Sequence, residues 1–302
     1  MAIRVSHVHG EYVAVEAANG VEILRYVYRP DPEAYEARKP YAHPLRTLGG
    51  RLVSGYRPSD HRWHKGLQMT ASHLSEQNFW GGHSYVHGEG YLDLPDIIGS
   101  MRHDGFTDFA VDDRQLVFTE ELTWVENGGA EWARETRGVR VHSVDEAAGA
   151  WALDWSIRLT NLRDVPLAFG SPTTAGRELA GYTGLHWRGP RDFTGGAAFA
   201  PEGDGAEKLM GTRSRWLAYS GEHDDVDGHS TLVFEHGPDN GATHHWFVRA
   251  EPIPTVSFSW AFFEEFELPP GESFAYRYRV VFADGAWDRE RVAGHLAGLT
   301  WT

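Results

Sequence analysis

The sequence predicts an all-β fold, an antiparallel sandwich occupying residues 1–302 as one domain, on three observations. Apolar and polar residues alternate with period two along much of the chain, turn residues recur between the alternating runs, and helical periodicity is scarce. Trp151, Leu153, Trp155, Ile157 and Leu159 alternate with Ala152, Asp154, Ser156, Arg158 and Thr160, the pattern of a strand with one buried and one wet face. Phe274, Tyr276, Tyr278, Val280 and Phe282 repeat it near the C-terminus. Tyr12–Val15 and Val21–Tyr28 flank Ala18-Asn19-Gly20, and Asn-Gly is the strongest short hairpin signal. Leu116–Val125 runs into Asn127-Gly128-Gly129, and Glu131–Ser143 follows. Further strands are expected at Arg215–Ser220, Ser230–His236, Thr243–Arg249 and Thr255–Phe266. Asp288 is placed to cap a short C-terminal helix carrying Val292, Leu296 and Leu299 at helical spacing. The glycines at 195, 196, 203 and 205 read as a surface loop. Strands in series without intervening helices favour antiparallel pairing over βαβ units.

Composition narrows the function classes. A net charge of -15 repels phosphate backbones and anionic lipid, so neither nucleic acid nor a membrane is expected as a partner. The absence of cysteine removes disulfides, thiolate catalysis and cysteine-ligated metals. No basic segment leads into an apolar run at the N-terminus, and no apolar stretch nears membrane length, so a cytoplasmic location is expected. The chain carries 12 Trp and 17 His. Indole and phenol rings stack on the C–H faces of sugars, although a β core also uses aromatics simply because they fit pleated surfaces.

Polar residues concentrate in three places. The densest runs from Tyr41 to Trp80, with His43-Pro44-Leu45-Arg46-Thr47, then Asp60-His61-Arg62-Trp63-His64-Lys65-Gly66, then His73 and Asn78. Pro44, Gly49, Gly50, Pro58 and Gly66 break it into turns, where functional groups are often held by a rigid scaffold. Imidazole exchanges protons near neutral pH and is also the commonest metal ligand. The second cluster holds Arg177, Glu178, His186, Trp187 and Arg188 between Gly and Pro breakers, and the third holds His244, His245, Arg249 and Glu251. Any single His or Arg in a β-protein is more often a hydrogen-bonded structural residue. The Asp60–Gly66 run is a poor strand and a good pocket lining. His61 and His64, with Asp60, leave a divalent metal open as an alternative, although the helical H-E-x-x-H signature is absent. No nucleophile elbow, phosphate-binding loop or dinucleotide fingerprint is found.

From Trp151 onward the order of features resembles the galactose-mutarotase-like β-supersandwich group. The resemblance rests on Leu159-Thr160-Asn161-Leu162-Arg163-Asp164-Val165-Pro166, the loop holding His186, Ala250-Glu251-Pro252, and the Leu268-Pro269-Pro270-Gly271-Glu272 turn. His43-Pro44-Leu45-Arg46-Thr47, the Asp60-to-Leu67 run and Leu185-His186-Trp187-Arg188-Gly189 are similar to a bacterial family labelled methane oxygenase PmoA. A membrane oxygenase subunit would need spanning helices, so the resemblance is taken to imply sugar metabolism instead. It implies a small carbohydrate partner, a sugar or oxidised sugar, transformed by His and carboxylate acid–base chemistry as an epimerase, lyase or hydrolase without a certain cofactor, a homodimer being left open. His186 would act as acid and Glu251 as base, with Glu178 competing for that role and His61 and His64 supporting proton abstraction. His43, Arg46, Asp60, Lys65, Asn78, Arg177, Trp187 and Arg188 would hold the sugar. A metal-dependent enzyme and a non-catalytic carbohydrate-binding protein remain the alternatives.

Overall fold

Most of the strands expected from alternation are present in the computed structural model, which describes residues 2–241 and 244–301. Tyr12–Ala17 and Glu22–Val27 form the hairpin around Asn19-Gly20, and Gly20 takes a left-handed φ of +87° that a Cβ would strain. Leu116–Val125, Glu131–Asp145, Ala150–Asn161 and Ser273–Asp284 are long strands laid side by side. Trp151, Leu153, Trp155, Ile157 and Leu159 are buried as the alternation requires.

Among the described residues two large antiparallel sheets form. The eight-stranded sheet runs Ile3–Val8, Tyr12–Ala17, Glu22–Val27, Tyr41–Leu45, Leu67–Thr70, Gly184–Arg188, Thr255–Ser259, His245–Arg249. The nine-stranded sheet runs Gly203–Asp204, Ala197–Ala200, Trp216–Glu222, His229–His236, Ser273–Asp284, Ala150–Asn161, Glu131–Asp145, Leu116–Val125, Ser100–Val111. They face each other across a core that includes Tyr26, Phe118, Trp155, Trp187, Phe234, Phe258 and Tyr278. The helix Arg289–Ala297 covers the far face of the nine-stranded sheet, seating Val292 and Leu296 against Ala150, Ala152, Val281 and Ala283. Asp288 caps it by accepting the Arg291 N–H at 2.8 Å.

Three expectations need correction. The Thr255–Phe266 run divides into Thr255–Ser259 and Phe266–Leu268; the second piece joins Leu167–Gly170 and His73–Leu74 in a small separate sheet. The glycine-rich stretch is not all loop, because Ala198 and Ala200 are buried and their strand pairs with Trp216–Glu222. The third strand begins at His245, and Thr243 of the expected segment lies outside the described residues. No helix among the described residues is long and apolar enough to cross a membrane.

Candidate functional site

Strand Gly184–Arg188 sits in the interior of the eight-stranded sheet, between Leu67–Thr70 and Thr255–Ser259. Because successive side chains leave a strand on opposite faces, Leu185 and Trp187 enter the core while His186 and Arg188 stand on the outer face. Register then builds two rows across that face: Tyr41, Gln68, His186, Ser257 and Phe247, and beside it Arg188, Thr255 and Arg249. An outer sandwich face is ordinarily wet. Here Gln68, His186, Ser257, Arg188 and Thr255 are buried, because two loops lie over them.

The first loop carries Asp60 to His64. Turn hydrogen bonds from His61 N to Pro58 O and from His64 N to His61 O, both 2.9 Å, fold it tightly. Buried Glu36 ties down both of its ends, accepting from Arg57 at 2.9 and 2.6 Å and pairing with Lys65 Nζ at 3.0 Å. Burial alone would push the Glu36 carboxyl up, but those two cations outweigh it and hold it below its ordinary value. The second loop is organised by Asn78, whose Oδ1 accepts the Trp80 and Gly81 N–H groups at 2.8 Å and whose Nδ2 donates to Ser84 Oγ at 2.8 Å. Gly82 is required where the loops meet, since a Cβ there would stand 2.5 Å from the Trp63 ring.

Between loops and sheet lies a hollow of about 260 Å³. Trp63, Trp80, Tyr182 and Phe247 give it aromatic walls, and His61, His64, His83, His186 and Asp60 supply polar groups. The His61 and His64 ring centres are 4.9 Å apart, those of His64 and His186 5.1 Å, and Trp80 lies 4.6 Å from His186. His186 Nδ1 shares a hydrogen bond with Ser257 Oγ at 2.8 Å, which fixes the ring, while its Nε2 is buried without a partner. Burial, reinforced by surrounding positive charge, holds His64 and His186 well below the ordinary imidazole value, so both are neutral at pH 7. Burial also lowers His61, but Asp60, 3.4 Å from its Nδ1, opposes that shift.

His61, His64, His186, Asp60 and Arg177 thus come together, with Arg188 beside them on the same sheet face. The other expected residues lie elsewhere. Lys65 and Asn78 hold the loops rather than line the hollow. His43 stacks on Tyr56 at 4.8 Å and bonds Ser54 Oγ at 2.8 Å, outside the lining, and burial takes it down to about 4. Arg46 donates to the Glu22 carbonyl at 3.1 Å. Trp187 is in the inter-sheet core, donating to the Val53 carbonyl at 2.8 Å, so it cannot stack on a ligand beside His186. Glu178 and Glu251 are exposed and line an adjoining hollow of about 870 Å³, which shares Arg249 with the first. Glu251 follows the end of its strand at Arg249, which leaves it outside the histidine hollow. Trp63, Trp80, Tyr182 and Phe247 were given no role from sequence, and neither was Arg249, although it belongs to the third polar cluster. Of these, Phe247 and Arg249 carry a usable signal, the parity of their strand relative to core residues Trp246 and Val248. Among the described residues no group of three or more His, Asp or Glu is arranged to hold a metal ion.

Solved structures similar to this chain include an α-galactosidase from Lactobacillus brevis, at 8% identity and a TM-score of 0.42, covering 97% of this chain and 41% of that one. A GH36 α-galactosidase from Geobacillus stearothermophilus in complex with raffinose matches at 13% identity and a TM-score of 0.37, with coverages of 95% and 41%. A galactose mutarotase related enzyme from Lactobacillus acidophilus matches at 7% identity and a TM-score of 0.36, over 95% of this chain and 100% of that one. The chain spans about two fifths of the length of the two galactosidases. Likeness this distant carries no argument about what the present chain binds or catalyses. No curated protein matches it. A family model described as a family of unknown function, DUF6807, matches residues 13–297, nearly the whole length, and the chain belongs to that family.

Proposed function

We propose that the chain is a carbohydrate-active enzyme that moves protons on a small sugar ring held in the hollow of His61, His64 and His186. The observation that carries this reading is convergence: imidazoles from two remote stretches meet in one aromatic-walled cavity of about 260 Å³. That is near the lower end of ligand clefts, roughly 300–1,000 Å³, and suits one ring rather than a long chain. Flat indole and phenol faces recognise the C–H faces of such a ring, and the polar row beneath can meet its hydroxyls.

Ring opening of a hemiacetal illustrates what the groups can do. With Nδ1–H donated to Ser257, His186 Nε2 keeps a lone pair and takes the proton of the anomeric hydroxyl. The electron pair left on that oxygen forms the C1 carbonyl, the bond from C1 to the ring oxygen breaks, and the ring oxygen takes a proton. His61, whose Nδ1 stands 3.4 Å from Asp60, is placed to donate it; burial lowers its proton affinity overall, which makes its charged form a ready donor. Glu251, expected as base from the resemblance, has no part in this scheme because it lines the adjoining hollow.

Such a base contributes about 10²–10⁴-fold to rate. Incubating the protein with aldoses and aldohexuronates while following anomer exchange and C–H deuterium exchange by NMR in D₂O tests the reading. His186→Ala is expected to lose activity by that factor while keeping its circular dichroism and melting temperature. An unchanged rate would remove His186 from the chemistry, and no exchange on any sugar would end the proposal.

A further inference from the structure

The hollow is cationic in an acidic protein. The chain carries a net charge of -15, yet Arg177 and Arg249 line this cavity against one carboxylate, Asp60. Asp60 is itself engaged by Arg191 at 3.2 Å and by His61. Arg188 stands directly beside the lining, paired in register with Thr255 and close enough to act electrostatically on His61, His64 and His186.

Arg188 is fully buried, and its Nε, Nη1 and Nη2 find no hydrogen-bond partner among the described residues. Neither Arg188, Arg177 nor Arg249 forms an ion pair there; Arg177 lies over the Tyr91 ring and Arg249 over Phe247. Two further polar atoms of the same sheet face, Thr255 Oγ1 and His186 Nε2, are likewise buried and unpartnered. A buried guanidinium without an acceptor is costly, and proteins keep one where a ligand supplies the acceptor. Arg188 remains charged at neutral pH, burial bringing it down only to about 10.

We infer that the hollow recognises a sugar carrying a carboxylate, a uronic acid, with Arg188 as the principal anchor of the acid group and Arg249 and Arg177 drawing it in. The sugar part of this inference rests on the function proposed above; the charge part rests on the arginines alone. A planar fork of donors matches the two oxygens of a carboxylate, the geometry in which arginine exceeds lysine. Focusing of positive potential within a negative surface steers such an anion to the hollow and away from the rest of the molecule.

Isothermal titration of the full chain with D-galacturonate, D-glucuronate, the parent neutral sugars galactose and glucose, and glucose 6-phosphate tests it. One of the uronates is expected to bind at least ~10-fold more tightly than its neutral parent, the scale of one charged hydrogen-bonded contact. In Arg188→Met the difference should vanish, and Arg188→Lys should restore only part of it. Melting curves with and without ligand identify any variant that fails to fold, and Arg249→Gln then provides a second loss of uronate preference at the rim. Equal affinity for uronate and neutral sugar in the unmodified protein would overturn the inference while leaving the proposed function standing. Preference for the phosphate, or no binding of either uronate, would overturn it outright. Uronate binding without any proton exchange would instead overturn the proposed function and leave the anionic site intact.

Discussion

Arg137 and Arg188 are equally inaccessible to solvent, and their surroundings differ completely. Arg137 lies between the sheets, donating to Glu135 at 2.7 and 2.9 Å and to the Tyr26 hydroxyl at 3.0 Å. Tyr26 in turn donates to Glu120, which His103 also contacts, and Trp124 donates to Glu135 at 2.8 Å. Every polar atom in that network has a use within the fold. Arg279 is also compensated by acceptors of the fold, held by Asp154 at 2.6 and 3.0 Å and by the Thr300 carbonyl, with its remaining Nη1 in an ion pair with Glu235 at 3.5 Å rather than a hydrogen bond. Arg188 has no such company. The same side chain at the same depth is partnered within the fold in one place and left without an acceptor in the other, and the proposed anion would supply that acceptor.

The largest expected effect follows from that contrast. Removing Arg137 leaves Glu135 with only the Trp124 N–H in a dry interior, and Arg137→Met should cost about 3–5 kcal/mol in urea denaturation. Arg188→Met strands nothing, because it replaces an uncompensated charge with a well-sized apolar chain, so the unliganded protein should be equally stable or more so. A loss of similar size in both variants would break the comparison, and would mean that Arg188 also serves the fold.

How far the two regions could be read from sequence differs for physical reasons. Alternation in Ala150–Asn161 and Ser273–Asp284, and the Asn19-Gly20 turn, located strands because period and turn chemistry are local properties. The Asp60–His64 run was recognisable as a pocket lining because charged and imidazole side chains interrupt strand patterns, whereas His186 was expected from the resemblance in a loop and stands instead on the strand Gly184–Arg188. The aromatic walls were not recognisable, since Tyr182 meets Trp80 and Phe247 meets Tyr182 only through the sheet order, which links segments far apart in the chain. Trp187 was misread although parity alone excludes it: neighbours on a strand cannot both face the hollow, so choosing His186 removes Trp187. Glu251 was misplaced because a resemblance fixes an approximate position, while the strand's end at Arg249 decides where the carboxylate stands.

A second contrast lies in titration. His64 and His186 are kept neutral by burial and nearby positive charge, and His43 is brought to about 4. Unfolded histidine titrates near 6.5. Above that value both states bind the same protons at these sites and no stability depends on them. As pH falls below about 6.5 the unfolded chain gains protons that the fold refuses, so stability is lost progressively toward pH 4. His43 alone accounts for at most about 2 kcal/mol at pH 5. Calorimetric melting between pH 7.5 and 4.5 should show that decline. A bound uronate should soften it, because an anion beside His64 and His186 favours their charged forms. A flat profile would deny that these imidazoles are neutral in the fold.

The smallest effect separates the two faces of one strand pair. Trp187 packs against Tyr219 and Phe234 in the core, whereas Trp80 lies over His186 and Tyr182 in the hollow. Trp187→Phe removes the bond to the Val53 carbonyl and leaves part of an indole-sized hole, so it should cost about 1–2 kcal/mol in stability. Ligand affinity should not change, because no atom of Trp187 lines the cavity. Trp80→Phe keeps a ring in place but narrows the stacking surface, so sugar affinity should fall by about 2–5-fold with little change in melting temperature. Measuring affinity and melting on both variants decides the matter, because the roles cross over. If Trp187→Phe weakened binding as much as Trp80→Phe, the division between an apolar inner face and a ligand-bearing outer face would not hold for this strand.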